Sequence, residues 1–99
     1  MKDYEFQDYH AIKTLYDNLE DVLYDEDIVC YRSRFDPGEM LLKKGQSVVA
    51  RLRWSKYDNE GNKCQPRLCV STFFGGHERK QGAVGVDDLS VKQLLELIK

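Results

Sequence analysis

From Asp8 to about Asp25, apolar residues recur as Tyr9, Ile12, Leu15, Tyr16, Leu19, Val22 and Leu23. Steps of three and four describe one face of an amphipathic helix. Asp17, Glu20 and Asp21 fall on the other face, and Asp25, Glu26 and Asp27 stand at the carboxyl end. Acid at that end opposes the helix dipole, which prefers cations there. The violation has no evident structural gain, which marks the acidic end as a candidate functional feature.

The period then changes to two. Ile28 to Phe35 is predicted as a strand, with Val29, Tyr31 and Phe35 on one side and Cys30, Arg32 and Arg34 on the other. Asp36-Pro37-Gly38-Glu39 is a turn, because proline sets the corner and glycine relieves it. Met40-Leu41-Leu42 is too short to assign. In Ser47–Tyr57, Val48, Ala50, Leu52 and Trp54 alternate with Val49, Arg51, Arg53 and Tyr57. In Lys63–Phe74, Leu68, Val70, Thr72 and Phe74 alternate with Arg67, Cys69, Ser71 and Phe73. The intervening Asp58-Asn59-Glu60-Gly61-Asn62 predicts a type I turn with glycine forming a bulge. Folding the hairpin there pairs Trp54 with Pro66, Leu52 with Leu68 and Arg53 with Arg67, which puts the apolar sets on one face.

The segment 75–82, with three glycines, is expected to be a flexible loop carrying His77, Arg79 and Lys80, followed by a short strand at Ala83–Val86. Ser90-Val91-Lys92-Gln93 is a capping box, with Leu89 and Leu94 as the hydrophobic staple around it. Val91, Leu94, Leu95 and Ile98 complete the buried stripe of a closing helix. The expected fold is α+β over residues 1–99 as one domain. Its order is α-β-β-β-(β)-α, an antiparallel three- to four-stranded sheet packed by an N-terminal helix and a short C-terminal helix.

Composition changes this picture little; charge changes it more. No apolar run approaches the ~18 residues of a membrane-spanning helix, so no membrane partner is expected. The amino terminus lacks a signal-peptide pattern. Three irregularly spaced cysteines do not suit a disulfide framework, and a cytoplasmic location is expected. Residues 1–27 hold nine acids and two bases, for −7; residues 28–82 hold eleven bases and five acids, for +6. Such asymmetry matters if folding keeps the two regions apart on the surface.

Candidate chemistry narrows the function classes. No nucleophile or phosphoryl-transfer motif flanks His10 or His77, and no catalytic residue is assigned; His10 is expected to be partly packed beside the helix stripe. Cys64 and Cys69 are five apart on one strand, pointing to opposite faces, so no metal or cofactor is expected. Gly75–Gly82 lacks the glycine-lysine-serine/threonine ending of a phosphate-binding loop.

A binding role without catalysis follows, with two surfaces to carry it. The first expectation is a regulator or inhibitor that presents Asp17, Glu20, Asp21, Asp25, Glu26 and Asp27 to a basic or nucleic-acid-binding protein. The alternative is a nucleic-acid-binding module that uses Arg32, Arg34, Arg51, Arg53 and Arg67 with Tyr57 and Phe73 on the outer face of the sheet. In size, acidic helix and sheet, the chain is similar to small phage-encoded inhibitors such as anti-CRISPR or anti-restriction proteins. That likeness is one of shape and charge, with no shared motif.

Overall fold

A computed structural model describes residues 4–86 and 91–98. A single turn of 3₁₀ helix, Phe6–Asp8, leads into α1, Tyr9–Tyr24. Five strands follow: β1 (Val29–Arg32), β2 (Glu39–Lys44), β3 (Ser47–Tyr57), β4 (Lys63–Phe74) and β5 (His77–Gly85). The chain closes with α2, Val91–Ile98. The strands form one antiparallel sheet in sequence order, β1-β2-β3-β4-β5. The α+β order is the expected one, with five strands in place of three or four.

Helix α1 buries Ile12, Tyr16, Leu19 and Leu23, while Val22 from the expected stripe stays partly exposed, at 40 %. These side chains pack on Met40, Leu42, Ala50, Leu52, Trp54, Leu68 and Val70, the alternate residues of β2, β3 and β4. Leu94 of α2 joins the same core, with Leu95, Leu97 and Ile98 packed against it. Burying such a side chain contributes roughly 1.5–3 kcal/mol. Both helices therefore lie on one face of the sheet, and the odd-numbered side chains of β3 and β4 look the other way. Ser90 and Leu89, expected in the capping box and staple, lie outside the described residues.

The helix ends in a Schellman arrangement. Ile28 N–H reaches the Leu23 carbonyl at 3.0 Å and Asp27 N–H the Tyr24 carbonyl at 3.1 Å. Asp27 holds the left-handed position, with φ 62°, where glycine is the favoured residue. The acidic end thus violates helix preferences twice, in charge and in backbone conformation.

Three expectations about the strands need correction. β1 stops at Arg32, because the Ser33 hydroxyl accepts from the amides of Phe35 and Asp36 at 3.2 and 3.1 Å and turns the chain. Phe35 is left in solvent. The segment 75–82 is no loop: Gly75-Gly76, with φ 60° and 83°, makes a two-residue turn, and His77, Arg79 and Lys80 belong to edge strand β5. A polar strand with little buried surface lacks the alternation that reveals strands in a sequence.

The third correction is the register of the main hairpin. The turn is as expected, with Asp58 N–H on the Asn62 carbonyl at 2.8 Å and Gly61 at φ 87°. Tyr57 pairs with Lys63, but Ser55 pairs with Arg67, so Lys56 alone stands opposite Cys64, Gln65 and Pro66. Pro66 has no amide to offer the ladder. The Ser55 hydroxyl fills in locally, accepting from Tyr57 N–H at 3.1 Å and donating to the Tyr57 carbonyl at 2.9 Å. Trp54 consequently faces Leu68, Leu52 faces Val70 and Arg53 faces Cys69.

Candidate anion-binding face

The open face of the sheet is built from a row of residues in register. Tyr31 pairs with Leu41, Leu41 with Arg51, Arg51 with Ser71, and Ser71 with Gln81. Beside it runs Glu39–Arg53–Cys69–Ala83. Cys69, Ser71 and Ala83 are small, and the neighbouring arginines are long, so the middle of this face is hollow. Arg51, Arg53 and Arg67 surround a depression of about 390 Å³, with Asn59 and Gln81 also on its lining. That volume lies within the range of small-ligand sites.

The register shift decides how the guanidinium groups sit. The sequence pattern places Arg53 directly opposite Arg67, a repulsive cross-strand pair. In the structure Arg53 faces Cys69 and Arg67 faces Ser55, so the two cations are diagonal across a small residue. Arg51 Nε meets Glu39 Oε1 at 3.2 Å, an exposed pair of small energetic weight. Arg67 Nη2 donates to the Tyr57 carbonyl at 3.5 Å, and its Nε is buried without a hydrogen-bond partner among the described residues. A buried guanidinium N–H lacking an acceptor is a standing cost to the fold.

Other expected members of this face lie elsewhere. Arg32 pairs with Met40 on the core side and is gripped by α1: Nη2 meets Asp17 Oδ1 at 2.5 Å and Nε meets Glu20 Oε1 at 2.7 Å. Burial alone would pull this guanidinium down, but the two carboxylates more than restore it, so it is held above the ordinary value. Arg34 is exposed beyond the end of β1. Tyr57 is drawn off by the N-terminal segment, its hydroxyl donating to Glu5 Oε1 at 3.0 Å. Phe73 pairs with Glu78 on the open side but does not line the hollow. His77, Arg79 and Lys80 follow the edge strand, where Arg79 lies 5.8 Å from the centre of the Phe74 ring.

The acidic candidates also divide. Asp17 and Glu20 are occupied by Arg32, and Asp17 also by Lys13 at 2.8 Å. Hydrogen bonds from Lys13 and Arg32 hold the Asp17 carboxyl below its usual range. Asp21, Asp25, Glu26 and Asp27 are exposed and make no ion pair among the described residues. His10 is exposed on α1, not packed beside the stripe.

The chain matches no family model, no curated protein and no solved structure. Local geometry must therefore carry any functional reading.

Asn59, Gln81 and Tyr31 escape a reading of the sequence alone, while Ser71 falls on the arginine side by alternation. The glycine pattern assigns Gln81 to a loop, and alternation groups Tyr31 with apolar Val29 and Phe35. A usable signal exists for β1: the helix flank carries Asp17 and Glu20, which calls for a cation beneath it, and Arg32 meets that need. Assigning Arg32 to the helix side puts Tyr31 on the open face. Among the described residues, no three histidine, cysteine or acidic side chains converge as a metal site, and no helix is long and apolar enough to cross a membrane.

Proposed function

We propose that this protein is a nucleic-acid-binding module that works through the open face of its sheet, without catalysing a reaction. The observation that carries the reading is the hollow ringed by Arg51, Arg53 and Arg67, on the face opposite both helices. Arginine suits phosphodiester groups because its planar fork donates two hydrogen bonds at once. Asn59 and Ser71 add neutral polar groups along the same lining, as does Gln81, whose Nε2 also donates to Glu78 Oε1 at 2.6 Å. The acids of α1 do not neutralise this face, since the helix packs on the other side.

The test is fluorescence anisotropy with labelled single-stranded DNA, duplex DNA and RNA at low and physiological salt. Affinity should fall linearly in log salt. Arg51→Ala with Arg53→Ala should weaken binding and reduce the slope by roughly one for each phosphate left without its arginine. Arg34→Ala, outside the hollow, should do neither. Absence of binding even at low salt would remove this reading.

A second reading is supported by the acidic corner after α1. Asp27 at positive φ and three acids at the negative end of the dipole keep a costly arrangement beside exposed Tyr24. A regulator or inhibitor would use Asp21, Asp25, Glu26 and Asp27 against a basic protein, in the place of a nucleic acid's phosphates. Reversing Asp21 and Glu26 to lysine, with Asp17 and Glu20 left to hold Arg32, should abolish capture of such a partner without unfolding the protein. Retained capture would discard it.

A further inference from the structure

Resting on the nucleic-acid reading, we infer that the open face is a track for a single strand, with Tyr31 as the stacking platform for an unpaired base. The row Tyr31–Leu41–Arg51–Ser71–Gln81 crosses all five strands in register. Neighbouring strands lie ~4.8 Å apart, so the row runs roughly 19 Å from β1 to β5. Its two ends differ in chemistry. At the Gln81 end lies the arginine hollow, suited to phosphate oxygens. At the Tyr31 end is a second depression of about 300 Å³, whose open-face lining includes Tyr31, Leu41, Arg51 and the Glu39 carboxylate that Arg51 meets at 3.2 Å. Arg51 lines both.

Tyr31 is half exposed, beside exposed Val29. Its ring carries Lys43 Nζ at 5.1 Å from the centroid, so a cation already samples that surface. A base laid on the ring would exchange with this ammonium and leave it placed for the adjoining phosphate. Duplexes bury the faces of their bases, so a ring on an open sheet can stack only on a strand whose bases are unpaired. The arginine hollow alone would bind either form. Selectivity for single strands is therefore assigned to Tyr31, and charge-driven affinity to Arg51, Arg53 and Arg67.

The experiment compares wild type, Tyr31→Ala and Tyr31→Phe by anisotropy. The probes are a labelled short oligothymidylate, the same strand annealed to oligoadenylate, and labelled inorganic polyphosphate, an anion without bases. Stacking on an aromatic side chain accounts for a loss of roughly 5- to 150-fold on removal. Tyr31→Ala should lose that much affinity for oligothymidylate, with an unchanged salt slope and unchanged binding of duplex and polyphosphate. Tyr31→Phe should keep wild-type affinity, because the ring face does the stacking. Circular dichroism confirms the fold of each variant. Equal binding of single strand by wild type and Tyr31→Ala would overturn the inference, as would a parallel loss on duplex. Either result, with Arg51 and Arg53 still required, would leave the nucleic-acid reading standing; wild type binding none of the probes would end both.

Discussion

The hydroxyl of Tyr16, in the middle of α1, donates to the backbone carbonyl of Gly38 at 2.6 Å. The same carbonyl accepts Trp54 N–H from β3 at 2.8 Å. Asp36 Oδ1 accepts both Gly38 N–H at 3.0 Å and the Tyr4 hydroxyl at 2.6 Å. One β-turn is thus bound to the helix, the central strand and the N-terminal segment, and burial pushes the Tyr16 and Tyr4 hydroxyls well above their usual titration. Its integrity sets where β1 and β2 diverge, and so where Tyr31 stands relative to Arg51.

A methyl group at Gly38 would come within 2.8 Å of Tyr4 Cε1. Gly38→Ala is expected to destabilise the protein by about 1–3 kcal/mol as the ring is displaced. Tyr16→Phe should cost about 1 kcal/mol, since the Gly38 carbonyl keeps its Trp54 partner. Urea unfolding followed by the fluorescence of Trp54, the single tryptophan and a buried one, measures both. A smaller effect for Gly38→Ala than for Tyr16→Phe would contradict the packing argument.

Asp27→Gly should stabilise the fold. It removes the left-handed strain of a non-glycine residue, worth about 1–2 kcal/mol, against a glycine entropy cost of roughly 0.5–1 kcal/mol. The net gain of up to about 1.5 kcal/mol corresponds to several degrees in Tm for a chain of this length. A fall in Tm would show that the aspartate side chain holds the corner.

Stability should fall in acid. Hydrogen bonding to Lys56 and Tyr57 holds the Glu5 carboxyl below its usual range. Burial pushes Asp8 up, but bonds from Lys56 and the Glu5 amide outweigh it, leaving Asp8 depressed as well. Groups depressed in the folded state stabilise it above their unfolded pKa, about 4, and lose that contribution as pH drops through the folded values. Lys56, 2.8 Å from Asp8 and 3.1 Å from Glu5, is shifted upward, chiefly by its bond to Asp8. Its contribution is complete below an unfolded pKa of about 10.4 and disappears as pH rises through the folded value. Urea midpoints should drop below about pH 4, and Lys56→Met should show much less of that drop. An unchanged acid profile in Lys56→Met would refute the assignment.

Cys69→Leu tests the hollow without touching charge. Cys69 is a free thiol on its floor, between Arg53 and Ala83. Filling the floor should weaken nucleic-acid binding about tenfold, near 1.4 kcal/mol, with circular dichroism unchanged. Cys30 gives a separate check: burial pushes its thiol up to about 11, so alkylation at pH 8 should spare it.

Periodicity and turn chemistry made α1, the main hairpin turn and the separation of apolar from arginine positions legible in the sequence. Whatever depends on one element meeting another stayed hidden. Arg32 can be placed correctly only by asking what lies beneath Asp17 and Glu20. Strand β5 has too little buried surface to announce itself, so Gln81 reads as loop. Tyr57 leaves the arginine face because Glu5, fifty-two residues away, offers its hydroxyl an acceptor. Site membership is accordingly half readable: Arg51, Arg53 and Arg67 come from alternation, while their setting comes from pairing.

The widening opposite Lys56 inserts two residues of β4, Cys64 to Pro66 standing where one residue would pair. An even insertion preserves parity: Leu68 still points inward and Arg67 outward. An odd one would have sent Leu68 into water and Arg67 under the helices. The widening therefore offsets the hairpin tip and its rim around Asn59 from the platform below, while that platform keeps its two identities.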